Sequence, residues 1–205
     1  MYIYIKRLID ILFSIFLSII LSPIYLIISL MIILLMGFPV FFRQKRIGKD
    51  GKAFLLIKFR TMNLPNAGKS EFEVADRITP LGSFLRKSSL DELPELFNIL
   101  NGEMSFIGPR PLPEIYRNRY SKAQWKRHNV RPGLSGLAQI KGRKAISWKK
   151  KLHFDIAYVE KISFLLDVYI AIKTIFIIFD SKSADIAGEK EMPNFNVVTK
   201  NSKSN

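Results

Sequence analysis

The sequence predicts a mainly α-helical protein with a small β-hairpin and an N-terminal membrane anchor. Three observations support this. The run Ile11–Phe42 contains no Asp, Glu, Lys, Arg or His, short apolar stretches flank a glycine-bounded turn at 48–51, and later apolar residues recur at helical spacing. At 205 residues the chain has room for one compact domain beside the anchor. We expect an anchor at 1–42, a domain at 43–180 and a polar tail at 181–205.

The anchor is too long for a secretory signal peptide, whose apolar core spans about 7–15 residues. Ser22-Pro23 stands near its middle, and proline kinks or breaks a helix because it lacks a backbone donor. The halves Ile11–Leu21 and Ile24–Met36 each extend only about 17–20 Å, less than the roughly 30 Å of a bilayer core. Both flanks are basic, and the positive-inside rule places such flanks in the cytoplasm: Lys6, Arg7, Arg43, Lys45, Arg46 and Lys49.

These residues leave two topologies open. In one, a single kinked helix crosses the bilayer, as many proline-containing membrane helices do. In the other, a re-entrant helix enters the bilayer, bends at Ser22-Pro23 and returns to the side from which it came. The second topology also explains why both flanks are basic.

The charge and composition restrict the classes of partner. The chain carries 32 Lys and Arg against 17 Asp and Glu, a net charge of +15, which suits anionic lipids, phosphorylated substrates or nucleic acid. Nucleic acid is disfavoured because no nucleic-acid fold signature accompanies the charge. The absence of cysteine excludes disulfides and thiol nucleophiles. The two histidines, His128 and His153, do not suffice for a His-cluster zinc site, and we interpret both as structural.

The domain at 43–180 divides into short elements. Val40–Arg43 and Phe54–Phe59, separated by a Gly-Lys-Asp-Gly turn, predict a β-hairpin, and Gly and Pro predict loops at 63–80, 101–113 and 131–136. The most apolar later helix carries two charges over its 16 residues, so we expect it to be buried or to lie along the membrane interface as an amphipathic element. Helices are predicted at Leu81–Lys87, Leu90–Leu100, 148–160 (with Ser147 as the N-cap) and Phe164–Phe179.

An acidic pair, Asp91-Glu92, lies in the segment Ser88–Pro94. One interpretation is structural: Ser89 and Glu92 have the spacing of a capping box, and acids in a first helical turn complement the helix dipole. The other is chemical. A carboxylate surrounded by cations stays ionised and can act as a nucleophile or a Mg²⁺ ligand.

Two proline-braced arginines predict a phosphate-binding site. In the Gly-Pro-Arg-Pro run at 108–111, the prolines fix the loop that presents Arg110, and Arg131-Pro132-Gly133 repeats the device. Arginine offers a bidentate fork to phosphate oxygens. A third basic stretch contains Lys58 and Arg60, which alternate with apolar residues as in an amphipathic strand. Both are candidates to face the substrate or lipid headgroups, although a solvated face has the same pattern.

These motifs together resemble a known family. The strings SSLDELPELFNILNG at 88–102, MSFIGPRPLP at 104–113, RPGLSGLAQIKGR at 131–143 and AISW at 145–148 are similar to those of the bacterial sugar transferases. These are monotopic phosphoglycosyl transferases that initiate glycoconjugate assembly. The resemblance extends from Lys6 to Ile178 and fits the minimal, single-domain form, which includes the initiating enzyme of bacterial N-linked protein glycosylation.

The resemblance implies a reaction and a place in the cell. A sugar 1-phosphate, expected to be N-acetylated, moves from a UDP-sugar to undecaprenyl phosphate, with release of UMP and a requirement for Mg²⁺. Asp91 would be the nucleophile, forming an aspartyl-phosphosugar intermediate, and a metal ligand, with the catalytic Glu92 beside it and Arg86 on the preceding helix. The anchor would be re-entrant at Ser22-Pro23, placing the catalytic domain on the cytoplasmic face of the inner membrane.

Other features stay open at this level. Expected partners are the two substrates, membrane lipids and downstream glycosyltransferases, whereas a membrane-tethered scaffold would need neither Asp91 nor Mg²⁺. Lys144 departs from the family pattern, where many members have Asn. The identity of the sugar and the fate of the product are not readable from the residues.

Overall fold

The computed structural model describes residues 1–64, 77–142 and 146–179. Most of the predicted loop at 63–80, together with Lys144 and the tail at 181–205, lies outside the described residues. The fold is mainly helical with a small antiparallel hairpin, as predicted. In chain order the helices are α1 Tyr2–Ile20, α2 Ser22–Met36, α3 Pro80–Lys87, α4 Glu95–Leu100, α5 Lys122–Trp125, α6 Leu137–Ile140, α7 Trp148–Glu160 and α8 Phe164–Phe179; the strands are β1 Phe41–Ile47, β2 Ala53–Phe59, β3 Ser105–Ile107 and β4 Gly133–Ser135.

The anchor breaks where the sequence predicts. Pro23 lies in the first turn of α2, where its missing N–H is tolerated, and it cannot donate to the carbonyl of Ile19. The hydroxyl of Ser22 donates to that carbonyl instead, at 2.8 Å. Among the described residues, no single helix is both long and apolar enough to cross a membrane. By length and composition α1 and α2 together are, and they meet at a bend of 61°.

The first two helices carry many exposed apolar side chains. The buried residues of α1 are the polar Asp10 and Ser14, the reverse of the usual pattern, whereas α2 buries the apolar Ile28 and Ile32. Exposed apolar surface of this kind marks a site of contact with another protein or a membrane. The strongly exposed apolar side chains include Leu12, Phe13, Phe16, Ile19 and Ile20 on α1, Leu26, Ile27, Leu30, Leu34 and Leu35 on α2, and Phe164, Leu165, Ile172, Ile175 and Phe176 on α8.

The hairpin is longer than predicted, because β1 continues through Gln44 and Arg46 to Ile47. Its register pairs Phe41 with Phe59 and Phe42 with Lys58. Since paired residues share a face, one face carries Lys58 towards the acidic segment. The opposite face buries Phe59, which packs with α2 and α3 in one core cluster.

The acidic segment is not one helix, so the predicted helix Leu90–Leu100 is wrong in its first half. Leu90–Glu92 forms a single 3₁₀ turn, and α4 begins only at Glu95. Pro94 precedes α4 and has no N–H for a continuous ladder. The predicted helices at 81–87, 148–160 and 164–179 are confirmed, and Ser147 caps α7 by accepting from the Lys150 N–H. A parallel pairing of β3 with β4 was not predicted.

The anchor holds the loops that carry the motifs. From α1, Arg7 donates to the carbonyls of Ile99 and Leu100 at 2.6 and 2.9 Å, which neutralises the C-terminal end of α4. Asp10 accepts the Phe106 N–H at 3.2 Å. From α2, the Tyr25 hydroxyl donates to the carbonyl of Leu93. Anchor and domain therefore form one packed body around the acidic segment.

Candidate active site

The backbone presents Asp91 and Glu92 at a sharp turn after α3. Ser89 adopts a left-handed conformation, φ 59° and ψ 15°, and its side chain makes no capping hydrogen bond. The capping-box interpretation is therefore wrong. The left-handed residue, uncommon outside glycine, turns the chain so that both carboxylates face β2. Their side chains are 13% and 20% exposed, so they are reachable from solvent.

Lys58, near the end of β2, lies among three carboxylates. Its ammonium is 2.5 Å from Glu92 Oε1, 3.1 Å from Glu95 Oε1 and 4.0 Å from Asp91 Oδ2. Glu95, the first residue of α4, is 1% exposed. Lys58 was predicted as a phosphate ligand, and the structure pairs it with the acidic pair that the sequence also singled out.

Arg110 reaches the same carboxylate from the Gly-Pro-Arg-Pro loop. Its Nη2 donates to Glu92 Oε1 at 2.5 Å, so one oxygen of Glu92 receives two cations. The side chain of Arg110 remains 43% exposed. Since charge-assisted bonds of this length are strong, Glu92 is fixed, while Arg110 keeps donors free for a ligand.

The two acids of the pair differ in electrostatics. Burial alone would raise the pKa of Glu92, but Arg110 and Lys58 outweigh it and hold that pKa well below its usual range. For Asp91, burial dominates and raises the pKa against the attraction of Lys58. Burial, opposed by Lys58 and reinforced by the charge of Glu92, raises the pKa of Glu95 to about 7.

Asp91 keeps an unengaged carboxylate. Within residues 1–64, 77–142 and 146–179, no side chain or backbone group hydrogen-bonds to it, and Lys58 at 4.0 Å is its nearest cation. The charge of Arg86 also favours the ionised form of Asp91, while the Arg86 Nε donates to the Thr61 hydroxyl at 2.9 Å. A carboxylate that has cations nearby but accepts no hydrogen bond from them is suited to nucleophilic attack on phosphorus.

Comparison with known proteins identifies the family. The model of the family described as "Bacterial sugar transferase" matches residues 1–181. The chain belongs to the bacterial sugar transferase family. It is 46% identical to the uncharacterized sugar transferase EpsL of Bacillus subtilis, over 83% of this chain and 85% of EpsL. It is 39% identical to the exopolysaccharide production protein ExoY of Sinorhizobium fredii, over 83% of each.

A larger relative has an activity in its name. The UDP-glucose:undecaprenyl-phosphate glucose-1-phosphate transferase of Klebsiella pneumoniae is 38% identical over 87% of this chain, but the match covers only 41% of that protein. This sugar transferase therefore spans less than half the length of that relative. The match covers 85% of EpsL and 83% of the Sinorhizobium fredii ExoY.

Two of the predicted phosphate ligands of the sugar transferase have other partners in the structure. Arg60, 5% exposed, donates to the carbonyls of Met36, Gly37 and Phe38 at 2.6, 2.5 and 3.1 Å, which fixes the chain at the end of α2. The Nε of Arg131 donates to the carbonyl of Gly102 at 2.8 Å. None of the hydrogen bonds or ion pairs between described residues joins either arginine to the acidic pair, whereas Lys58 and Arg110 are ion-paired with it and the charge of Arg86 acts on Asp91.

Sequence reasoning missed three contributors to the site. Arg46, which the sequence places in the basic flank of the anchor, is turned inward and donates to the carbonyl of Pro111 at 2.9 Å. Glu95 could have been recognised as a third acid, four residues after Asp91. Asp155, a charged residue on an otherwise packed helix face, pairs with Arg127 at 2.8 Å. Only the tertiary structure shows which distant groups these side chains meet.

Proposed function

We propose that the chain transfers a sugar 1-phosphate from a UDP-sugar to undecaprenyl phosphate, releasing UMP, as the first membrane step of glycoconjugate assembly. Support comes from relatives in Klebsiella pneumoniae and Escherichia coli, both named UDP-glucose:undecaprenyl-phosphate glucose-1-phosphate transferase. The net charge of +15 suits two phosphorylated substrates. The cluster of Asp91, Glu92, Lys58 and Arg110 supplies acids and cations at one place.

One observation carries the proposal. In a pair of adjacent acids, Glu92 is hydrogen-bonded to both cations, whereas Asp91 accepts no hydrogen bond among the described residues and has Lys58 only at 4.0 Å. This division gives each acid a different task. Glu92 holds Lys58 and Arg110 where phosphate oxygens would lie, and Asp91 is left to attack.

The reaction proceeds in two displacements at one phosphorus. A carboxylate oxygen of Asp91 bonds to the β-phosphorus of the donor, and the bond from that phosphorus to the bridging oxygen breaks, so that UMP leaves with the oxygen. A phosphate oxygen of undecaprenyl phosphate then bonds to the same phosphorus, and the bond between that phosphorus and the Asp91 carboxylate oxygen in the acyl phosphate breaks. The carboxylate is regenerated, and the product is the undecaprenyl diphosphate sugar. The soluble nucleotide thus departs before the lipid enters.

Electrostatic stabilisation is the task of the cations. Arg110 and Lys58 lie where charge develops on the phosphoryl oxygens, and donors fixed before the reaction need no reorganisation. Because its low pKa makes Glu92 a weak base, we assign it to orient these cations rather than to accept a proton. Glu95, with a pKa of about 7, sets the charge balance around Lys58.

We propose Mg²⁺ as the cofactor. In the described residues there is no group of three or more His, Cys, Asp or Glu arranged for a metal ion. Mg²⁺ at phosphate-transfer sites commonly binds through one or two carboxylates together with substrate phosphates, and the unengaged carboxylate of Asp91 fits that mode. The ion would neutralise charge on the phosphate oxygens.

We also propose that the anchor is re-entrant and that the protein lies on the cytoplasmic face of the bacterial inner membrane. The 61° bend between α1 and α2, their exposed apolar side chains and the basic flanks support a hairpin that enters and leaves on one side. The apolar exposed side chains of α8 support its role as an interfacial helix. Downstream glycosyltransferases, which would use the lipid-linked product, would then act from the same membrane.

The test is UMP release by purified protein with undecaprenyl phosphate and a panel of UDP-sugars. We propose an N-acetylated sugar as donor, following the minimal form of the family, and the panel includes UDP-glucose and UDP-galactose because relatives carry those sugars in their names. UMP release beyond one equivalent that depends on both donor and lipid supports the transferase. No release with any donor, from protein that still binds membranes, would favour a tethered scaffold.

A further inference from the structure

A buried ion pair lies behind the Gly-Pro-Arg-Pro loop. Arg127, in the 3₁₀ segment Lys126–Asn129, and Asp155, on α7, have side chains only 2% and 5% exposed. Nη2 and Nε of Arg127 lie 2.8 and 3.0 Å from Asp155 Oδ2. Buried ion pairs are weak devices for stability because desolvation offsets their attraction. A pair this deep therefore suggests a use other than stability.

The pair is connected to the active site by one hydrogen bond. Arg127 Nη2 donates to the backbone carbonyl of Arg110 at 2.6 Å, and Nη1 donates to the hydroxyl of Tyr120 at 3.2 Å. The guanidinium also lies over the Tyr120 ring, 5.8 Å from its centroid. Asp155 thus orients a guanidinium whose other donors bind the loop.

The loop needs such support because Arg110 cannot be held by its own packing. Its side chain is 43% exposed, so the direction of the guanidinium depends on the backbone that carries it. The carbonyls of three successive residues are each bound: Arg110 by Arg127, Pro111 by Arg46 at 2.9 Å, and Leu112 by the N–H of Ile47 at 3.1 Å. Arg127 supplies the first of these clamps, at the residue that reaches Glu92.

We propose that Arg127, oriented by Asp155, is a positioning residue for the transfer reaction: it fixes the backbone at Arg110 and so aims the Arg110 guanidinium at Glu92 and the donor phosphates. This inference rests on the proposed function. In this inference α7 contributes no group to the acidic cluster and affects catalysis only through Arg110. A displacement of about 1 Å in a group that positions phosphate is enough for a large loss of rate.

A double-mutant cycle separates positioning from a general structural role. If Arg127 acts through Arg110, Arg127→Gln lowers kcat/KM for the UDP-sugar about 10-fold in the natural protein and less than about 2-fold in an Arg110→Ala background. If Arg127 only stabilises the fold, the loss is the same in both backgrounds. Folded protein is quantified in each variant by its thermal midpoint in detergent, so that activity is expressed per folded molecule.

Milder variants and a matched control accompany the cycle. Arg127→Lys keeps the charge but cannot reach Asp155, Tyr120 and the Arg110 carbonyl together, so it should fold normally and still lose several-fold in kcat/KM. Asp155→Asn should behave in the same way. The control is the ion pair of Lys126 and Glu160, 3.9 Å apart and 58% and 57% exposed, which joins the same two elements at the surface. Lys126→Gln should leave the kinetics unchanged.

The outcomes are distinct. A wild type that releases no UMP with any donor refutes the proposed function, and the inference falls with it. An active wild type with equal losses in both backgrounds, or with full activity in Arg127→Gln and Arg127→Lys, overturns the inference while the transferase stands. Loss in Arg127→Gln that disappears in the Arg110→Ala background supports it.

Discussion

The ammonium of Lys58 lies 2.5 Å from Glu92 but 4.0 Å from the neighbouring Asp91. Together with Arg110, this contact places two hydrogen-bonded cations on Glu92 and leaves Asp91 with only the longer ion pair to Lys58 among the described residues. The cations are therefore already in place before any phosphate arrives. The free-energy cost of desolvating Lys58 and Glu92 is incurred when the protein folds. Binding of the donor therefore does not have to bring these two side chains into position.

The first prediction concerns the unequal roles of the acidic pair. Asp91→Asn should lower turnover about 10³-fold or more, because it removes the nucleophile. Glu92→Gln should lower it about 10²-fold, because Arg110 and Lys58 lose their charged partner. With donor and no lipid, wild type and Glu92→Gln should release up to one equivalent of UMP and gain the mass of a phosphosugar on the Asp91 peptide.

The contradictory outcome is a kinetic one. Intersecting double-reciprocal lines, with no adduct on the Asp91 peptide after donor alone, would mean that the lipid phosphate attacks directly. Asp91 would then be a metal ligand only. Parallel lines are expected of the covalent route.

The second prediction concerns Arg110. Arg110→Ala should lower kcat/KM for the donor about 10²-fold, since it removes a cation from the developing charge. Arg43→Ala serves as control because Arg43 is exposed on the other face of β1; it should change kcat/KM by less than about 2-fold. Arg46 is unsuitable as a control, since it binds the Pro111 carbonyl. Equal losses at positions 110 and 43 would place the phosphate site elsewhere.

Neighbouring residues predicted the ends and breaks of helices wherever a single short-range interaction decides them. Pro23 and Ser22 set the break of the anchor through a missing donor and a replacement hydroxyl, and Ser147 caps α7 through its own side chain. Such effects act within one turn and are readable from neighbouring residues. The resemblance to the family supplied the role of Asp91, which spacing alone did not distinguish from a cap.

Long-range pairing was beyond the sequence. Arg46, Arg60 and Arg131 are basic residues in the same part of the chain as the motifs, yet each binds a backbone carbonyl and none is joined to the acidic pair by a hydrogen bond between described residues. A guanidinium donates to carbonyl oxygens as well as to phosphate oxygens. Which of them it meets depends on how β1 and the loops pack, so charge patterns identified the basic character of the site and only some of its members.

The third prediction concerns the metal. Turnover should be lost in EDTA and restored by Mg²⁺ or Mn²⁺, because a divalent ion neutralises charge on the donor phosphates. The measurement is UMP release before and after addition of the ion. Thermal midpoints should be the same in EDTA and in Mg²⁺ without donor, because the described residues hold no preformed metal cluster. Full activity in chelator would remove Mg²⁺ from the mechanism.

The fourth prediction concerns topology. The chain has no cysteine, so Tyr4→Cys and Lys49→Cys each introduce one label site, in the first turn of α1 and after the anchor, at residues that are 83% and 45% exposed. In intact cells a membrane-impermeant thiol reagent should label neither, and in inverted vesicles it should label both. Labelling of position 4 from the outside would establish a spanning helix. Pro23→Leu with Ser22→Ala should shift the anchor towards that result, since both causes of the bend are removed.

The fifth prediction concerns His128, which is buried at 4% exposure between the rings of Trp125 and Tyr120, at centroid distances of 4.7 and 5.2 Å. Burial, with the charges of Arg127 and Arg117, lowers its pKa to about 3. In the unfolded chain the value is about 6.5. The unfolded state therefore binds the proton first as the pH falls.

The difference between the folded and unfolded pKa of His128 decides how stability changes with pH. The stabilisation from neutral His128 is fully present above about pH 6.5 and is lost between there and pH 3, with a slope of about 1.4 kcal/mol per pH unit. Glu95 has the opposite effect on the free energy of unfolding: its contribution grows as the pH falls from its folded pKa of about 7 to its unfolded pKa of about 4.3. Wild type and His128→Gln share this contribution, so the difference between them isolates the histidine. Denaturant unfolding in detergent should show that the difference in free energy of unfolding between wild type and His128→Gln decreases from pH 7 to pH 5. The control is His153→Gln, at an exposed site on α7, whose free energy of unfolding should follow the same pH dependence as wild type. If the difference between wild type and His128→Gln did not change with pH, His128 would already be charged in the folded protein.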